Sequence, residues 1–298
     1  MRWRCASFVL LGTALLPAQN VLDVVDGETL YDGGHLVSLT YEIEREERLR
    51  TGGTRLADPN ASHRVRSTGV LAWQYGLRHD VQIGIALPYN DVETESASGQ
   101  QVAAGVGDVE LLAKWRFHRW DSKGVAINSA LIGTLSLPTG DDDAGQDGVE
   151  FQPEQQVGSG GVDPSIGVAI TPEPGRWRFN AAVLYTLRTD TDGDGDRRGD
   201  SLFAELAIGN RFWLEPYPGP FMRLDLFTRW YDERRDTQDD VRLQTSGAQR
   251  LTAGFTWAFR PRPSLDLQLS AEVPLWRDVN GPQIDLDWTA QFSFGYRF

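Results

Sequence analysis

Hydrophobic and polar residues alternate with a period of two along most of this chain. At the C-terminus, Leu286, Trp288, Ala290, Phe292, Phe294, Tyr296 and Phe298 fall on one face. Asp285, Asp287, Thr289, Gln291, Ser293, Gly295 and Arg297 fall on the other. That is the pattern of a β-strand with one apolar and one polar side. Leu265, Leu267, Leu269, Ala271, Val273 and Leu275 repeat it opposite Asp266, Gln268, Ser270 and Glu272. Twelve such segments are predicted, near 36–44, 66–77, 81–90, 107–118, 125–137, 163–171, 176–189, 202–214, 221–231, 248–260, 264–276 and 284–298.

The connections between them alternate in length. Stretches 45–65, 91–106, 138–162, 190–201 and 232–247 are long. Stretches 78–80, 119–124, 172–175, 215–220 and 261–263 are short, and only 277–283 is brief among the outer loops. A soluble sandwich has no reason to gather its long loops at one end. A bacterial outer-membrane barrel does so, with short periplasmic turns, longer external loops and an even number of antiparallel strands. Inside a bilayer every backbone group must be paired, so the sheet must close and its first strand must meet its last. The expected fold is therefore an all-β transmembrane antiparallel up-and-down barrel of about 12 strands over 35–298.

Aromatic positions agree. On the outward parity, Tyr75, Phe117, Trp177, Phe212, Phe259 and Tyr296 mark the periplasmic ends, and Tyr41, Tyr89, Tyr185, Trp230 and Trp288 the external ends. These are the two girdles of an outer-membrane barrel. Trp288 to Phe298 spans roughly 33 Å of strand, or about 25 Å of membrane normal once tilted.

The N-terminus places Arg2 and Arg4 before an apolar run ending at Leu16, then Pro17, Ala18 and Gln19. This is the pattern of a secretory signal peptide, assigned to 1–18. Cleavage there removes the single cysteine, Cys5, and leaves 27 basic residues against 42 acidic ones. Residues 19–34 are expected as a short periplasmic N-terminal segment, too brief for a long plug. The net charge of −13 argues against a nucleic-acid partner, and a chain with one cysteine builds neither an intrachain disulfide nor a cysteine metal cluster.

The stretch Gly105–Phe117, the run Leu135, Ser136, Leu137, Pro138, Thr139, Gly140, Asp141 and the terminal Phe298 carry a family resemblance. The chain resembles the outer-membrane barrel family labelled "putative meta-pathway of phenol degradation", a distant relative of the FadL-type carriers. The resemblance implies a channel or transporter taking up small molecules, hydrophobic or aromatic compounds among them. It brings no catalytic or binding residues. The other reading of the same fold is a structural or adhesive surface barrel with a plugged lumen and functional loops.

Parity assigns the lumen-lining charges. Arg176, Arg178, Arg188, Arg211, Arg223, Arg229, Arg250 and Arg260 fall on strands seven to ten. Glu42, Glu44, Asp266, Glu272, Asp285 and Asp287 fall on strands one, eleven and twelve, and Asp108, Glu110, Lys114 and Arg116 on strand four. The expectation is one mainly basic wall facing one mainly acidic wall. In the terminal strand, Phe292, Phe294, Tyr296 and Phe298 resemble the signal read by the barrel-assembly machinery, which joins lipid, lipopolysaccharide and a small-molecule solute as expected partners.

Asp190, Asp192 and Asp194 fit the first half of a calcium loop, with Gly195 at its turn, but Ser201 stands where the bidentate glutamate belongs. Calcium in this external loop is the one candidate cofactor. Asp141, Asp142 and Asp143 form another acidic loop. No enzyme activity is expected, because His35, His79 and His118 fall at periplasmic ends and His63 lies in a loop without an evident partner.

Overall fold

Residues with period-two alternation pair with their neighbours throughout the computed structural model, which describes residues 25–97, 99–146, 149–151, 155–189, 197–238 and 241–298. Residues 1–18, expected as a signal peptide, and Asp190, Asp192 and Asp194, expected as a calcium loop, lie outside the described residues.

Among the described residues the wall is built from long antiparallel strands: β1 (His35–Gly52), β2 (His63–Arg78), β3 (Val81–Ser96), β4 (Val109–Ser122), β5 (Val125–Leu137), β6 (Asp163–Pro174), β7 (Trp177–Thr186), β8 (Ser201–Leu214), β9 (Phe221–Glu233), β10 (Ala248–Arg262) and β11 (Leu265–Arg297). Each pairs with the next, and β11 also pairs with β1, so the sheet closes. β11 is antiparallel to β10 over 265–279 and antiparallel to β1 over 283–297. An odd number of crossings cannot close with every pair antiparallel, so this element must fold back. It does so at Gly281, whose φ of 70° suits a residue without a Cβ, and the Arg297 amide donates to the Ser264 carbonyl across the two arms. The wall is crossed twelve times, as the alternation predicts.

The two faces separate as expected. Leu39, Leu71, Ile85, Leu87, Leu131, Ile166, Leu206 and Leu226 point outward and are exposed; the bilayer covers such a band. Phe292, Phe294, Tyr296 and Phe298 share this face. Phe298 closes the seam, exchanging backbone hydrogen bonds with His35 at 2.9 and 3.1 Å and stacking on its ring. Inside, Val70, Ala72, Ala86, Leu112, Ile132, Ala169, Ala182, Leu184, Phe203, Tyr231 and Leu286 form a buried apolar cluster.

The differences from expectation are local. The strands run farther outward than the alternation shows; β1 reaches Gly52, and 91–106 is no loop but a hairpin of β3 with the short strand Gly99–Val106. Above the membrane both faces of a strand meet water, so period two fades while the pairing continues. Leu286, expected on the apolar outer face, is buried inside. Arg45 pairs with Trp288 and Glu46 with Leu286, and this bulge reverses the side-chain direction.

Candidate functional site

The lumen divides into two levels. Toward the long loops it is packed. Arg250 donates from Nε to Asp285 Oδ1 at 2.6 Å, and both side chains are 0% exposed. Arg277 reaches the other oxygen of Asp285 at 2.8 Å. Arg188 bonds Asp163 at 2.6 Å, and Arg64 lies 3.3 Å from Glu46. Phe203 and Tyr231 fill the space beside them, 5.3 Å apart. The loop between β5 and β6 covers this level, and its Val157 carbonyl accepts from Asn90 Nδ2 at 2.9 Å.

Toward the short turns the same wall encloses a polar chamber of about 460 Å³. Its boundary on one side is the N-terminal segment. The stretch 19–34, expected as a periplasmic extension, is described from Val25 onward, and there it lies within the barrel mouth. The Val25 carbonyl accepts from Asn180 Nδ2, the Gly27 amide donates to Thr171 Oγ1, and the Leu30 amide donates to Gln82 Oε1, each at 2.8 Å. A Cβ at Gly27 would stand 2.3 Å from the Asn128 carbonyl oxygen, so only glycine allows this approach. The ten described residues 25–34 narrow the mouth of the barrel.

One carboxylate anchors the segment. Asp26 Oδ1 accepts from Lys114 Nζ at 2.5 Å, and Oδ2 accepts from Arg178 at 2.9 Å. Burial pushes the Asp26 carboxyl up, but Lys114 and Arg178 outweigh it and hold the group below its ordinary 3.8. Glu28 lies 3.7 Å from the same Arg178.

The chamber wall carries most of the predicted arginines. Arg178, Arg211, Arg223, Arg229 and Arg260 line it together with Arg297 and Lys114. Of the strand carboxylates, Glu205, Asp225 and Asp266 border the cavity, with Glu173 and Glu272 behind the arginines; Asp26 and Glu28 come from the N-terminal segment. Arg223 bonds Asp225 at 2.8 Å, Arg229 bonds Glu205 at 2.9 Å, Arg260 bonds Asp266 at 2.5 Å, and Arg211 contacts Glu173. Glu272 stands 3.5 Å from Arg229. Three aromatic rings complete the lining, Tyr31, Phe221 and Phe227: the guanidinium of Arg229 lies 4.0 Å over Phe227, and that of Arg260 lies 4.9 Å over Phe221.

Several expectations change here. The basic wall is not uniform, because Glu173, Glu205 and Asp225 lie among its arginines; their inward parity on β6, β8 and β9 was legible. Arg176 does not face the lumen. It is exposed beside the Gly175 turn and donates to the Arg211 carbonyl, since the hairpin ends below the membrane. Asp108 does not line the lumen either. It falls at the break before β4, where parity lapses, and its carboxylate accepts from the amides of Thr139, Gly140 and Ser159. Asp287 pairs with Arg48 at 3.1 Å. Glu44 stands opposite Arg66, and Glu42 opposite Thr68, on inward positions of β1 and β2; Glu110, on β4, is half-buried. His63 begins β2 rather than lying in a loop, and its Nε2 is 3.2 Å from Glu95. Among the described residues no group of three or more His, Cys, Asp or Glu is placed to hold a metal.

A closed, outward-apolar barrel with a charged interior is an outer-membrane β-barrel, and the solved structures it overlays are of that class. The COG4313 outer membrane channel from Pseudomonas putida F1 matches with a TM-score of 0.71 and 18% identity, covering 92% of this chain and 98% of that one. The β-domain of the Bordetella autotransporter BrkA matches with a TM-score of 0.53 and 12% identity over 90% and 100%. No curated protein matches the sequence. The chain belongs to the family described as "Putative MetA-pathway of phenol degradation", whose profile matches residues 33–274.

Proposed function

We propose that this barrel admits small molecules across the bacterial outer membrane, and that the chamber is the compartment they traverse. The carrying observation is the chamber itself: a 460 Å³ polar space beside a segment held by a few hydrogen bonds. A barrel whose interior served only as a core would fill that space with side chains. The structurally similar Pseudomonas protein is a channel, and the family description names phenol degradation. Phe221 and Phe227 in the lining suit aromatic solutes. We assign no catalytic role and no cofactor. Lipid and lipopolysaccharide are the partners of the outward apolar face, and the barrel-assembly machinery that of the terminal aromatics.

The second reading, a structural surface barrel, draws on the packed level above, where Arg250 and Asp285 are shut off from water. Conductance in a planar bilayer separates them. The intact protein should pass a small steady current, and a variant lacking residues 25–30 a larger one. No steady current from either would defeat the channel reading and favour the structural barrel.

A further inference from the structure

The wall of the chamber is more basic than its carboxylates balance, and the group that offsets it comes from outside the wall. Asp26 places its two oxygens on two different cations, one on β4 and one on β7, at 2.5 and 2.9 Å; the strand carboxylate beside Arg178, Glu173 on β6, stands farther off at 3.9 Å. Lys114 is buried at 2% exposure, on the inward parity of a β-strand, where an amine needs an anion. The Nε of Arg178 is also buried and makes no hydrogen bond; Glu173, its ion-pair partner, stays 3.9 Å away. Charge-assisted bonds to a carboxylate are the strong contacts such a pair can make. Phe221 and Phe227 line the same space beneath the guanidinium groups of Arg260 and Arg229 and add apolar surface to it.

We propose that the chamber is a binding site for small organic carboxylates, with Lys114 and Arg178 taking the carboxylate, and that Asp26 occupies their place as a built-in competitor. The proposal rests on the channel reading for its transport consequence, but not for binding. An incoming carboxylate exchanges with Asp26, releases the segment and thereby widens the path it is to follow. A neutral solute of the same shape offers Lys114 no negative charge and leaves the segment docked. The chamber volume lies in the range of small-molecule sites, about 300–1,000 Å³, ample for one aromatic ring with its carboxylate.

The test compares benzoate with its neutral isostere benzamide, using the refolded full-length mature barrel. Calorimetry in detergent reads binding and a liposome assay reads flux, with heat-modifiable migration as the check on folding. Asp26→Asn should raise benzoate affinity and flux about tenfold while leaving benzamide unchanged. Asp26→Glu, which keeps the competing carboxylate, should stay near wild type. Adding Lys114→Gln to Asp26→Asn should erase the gain. Equal treatment of the two solutes by all variants, with flux intact, would overturn the carboxylate site and leave the channel standing. Flux absent throughout, with benzoate bound more tightly by Asp26→Asn, would overturn the channel and keep the site. Neither binding nor flux would overturn both.

Discussion

The two levels of the lumen use the same residue types to opposite ends. In the external half, Arg250 and Asp285 meet with no exposure to water, with Arg277, Phe203 and Tyr231 packed around the pair. In the periplasmic half, Arg260 and Asp266 meet at a similar distance but keep 28% and 15% of their side chains exposed, on the wall of a cavity. A dry pair has given up hydration and depends on its partner; a wet pair can exchange its partner for water or solute. Pairing therefore seals one half of this barrel and merely tunes the other.

Breaking the comparison begins with the dry level. Asp285→Asn leaves the buried Arg250 and Arg277 without their carboxylate and should cost about 3–5 kcal/mol, read as a large drop in the urea midpoint of the folded barrel. A shift of a few tenths of a kcal/mol would mean that water reaches this level after all.

Next comes the segment between the two regimes. Gly27→Val places side-chain atoms where the Asn128 carbonyl stands and should expel the segment. Its three hydrogen bonds are worth ~1 kcal/mol each and the contacts of Asp26 to Lys114 and Arg178 are lost with them, so stability should fall by at least about 3 kcal/mol while bilayer current rises. Unchanged current would show that the segment does not narrow the path.

The anchor sets a pH dependence. Asp26 is held below its ordinary 3.8 by Lys114 and Arg178 against the effect of burial. A depressed carboxyl stabilises above its unfolded value and loses that contribution as pH falls through the folded value. Docking of the segment should thus persist at pH 3.8, where a free aspartate is half protonated, and release only in stronger acid. Conductance against pH checks it, with Asp26→Asn as the pH-independent control; release already near pH 5 would contradict the geometry.

The smallest effect belongs to the wet level. Arg260→Gln should change the unfolding free energy by ~0–1 kcal/mol while moving ion selectivity toward cations, read as a reversal potential in a salt gradient.

Alternation by itself determined the closed twelve-crossing barrel and which strand faces turn outward, because a strand between lipid and lumen must alternate along its membrane-spanning length. It also placed Arg178, Arg223 and Arg229 inside, since parity survives wherever pairing is regular. Where pairing is irregular it misled: Leu286 turned inward at a bulge, Asp108 left the lumen at a strand break, and Arg176 dropped below a hairpin end. Which lumen charges are dry and which are wet, only the tertiary structure decided. That depends on how the outer loops and the segment 25–34 fill a space enclosed by distant strands. No period in the chain records that Asp26 lies beside Lys114 and Arg178, 88 and 152 residues away. Local pattern reports the environment of a side chain across its own strand, whereas the contents of a lumen are set by what else enters it.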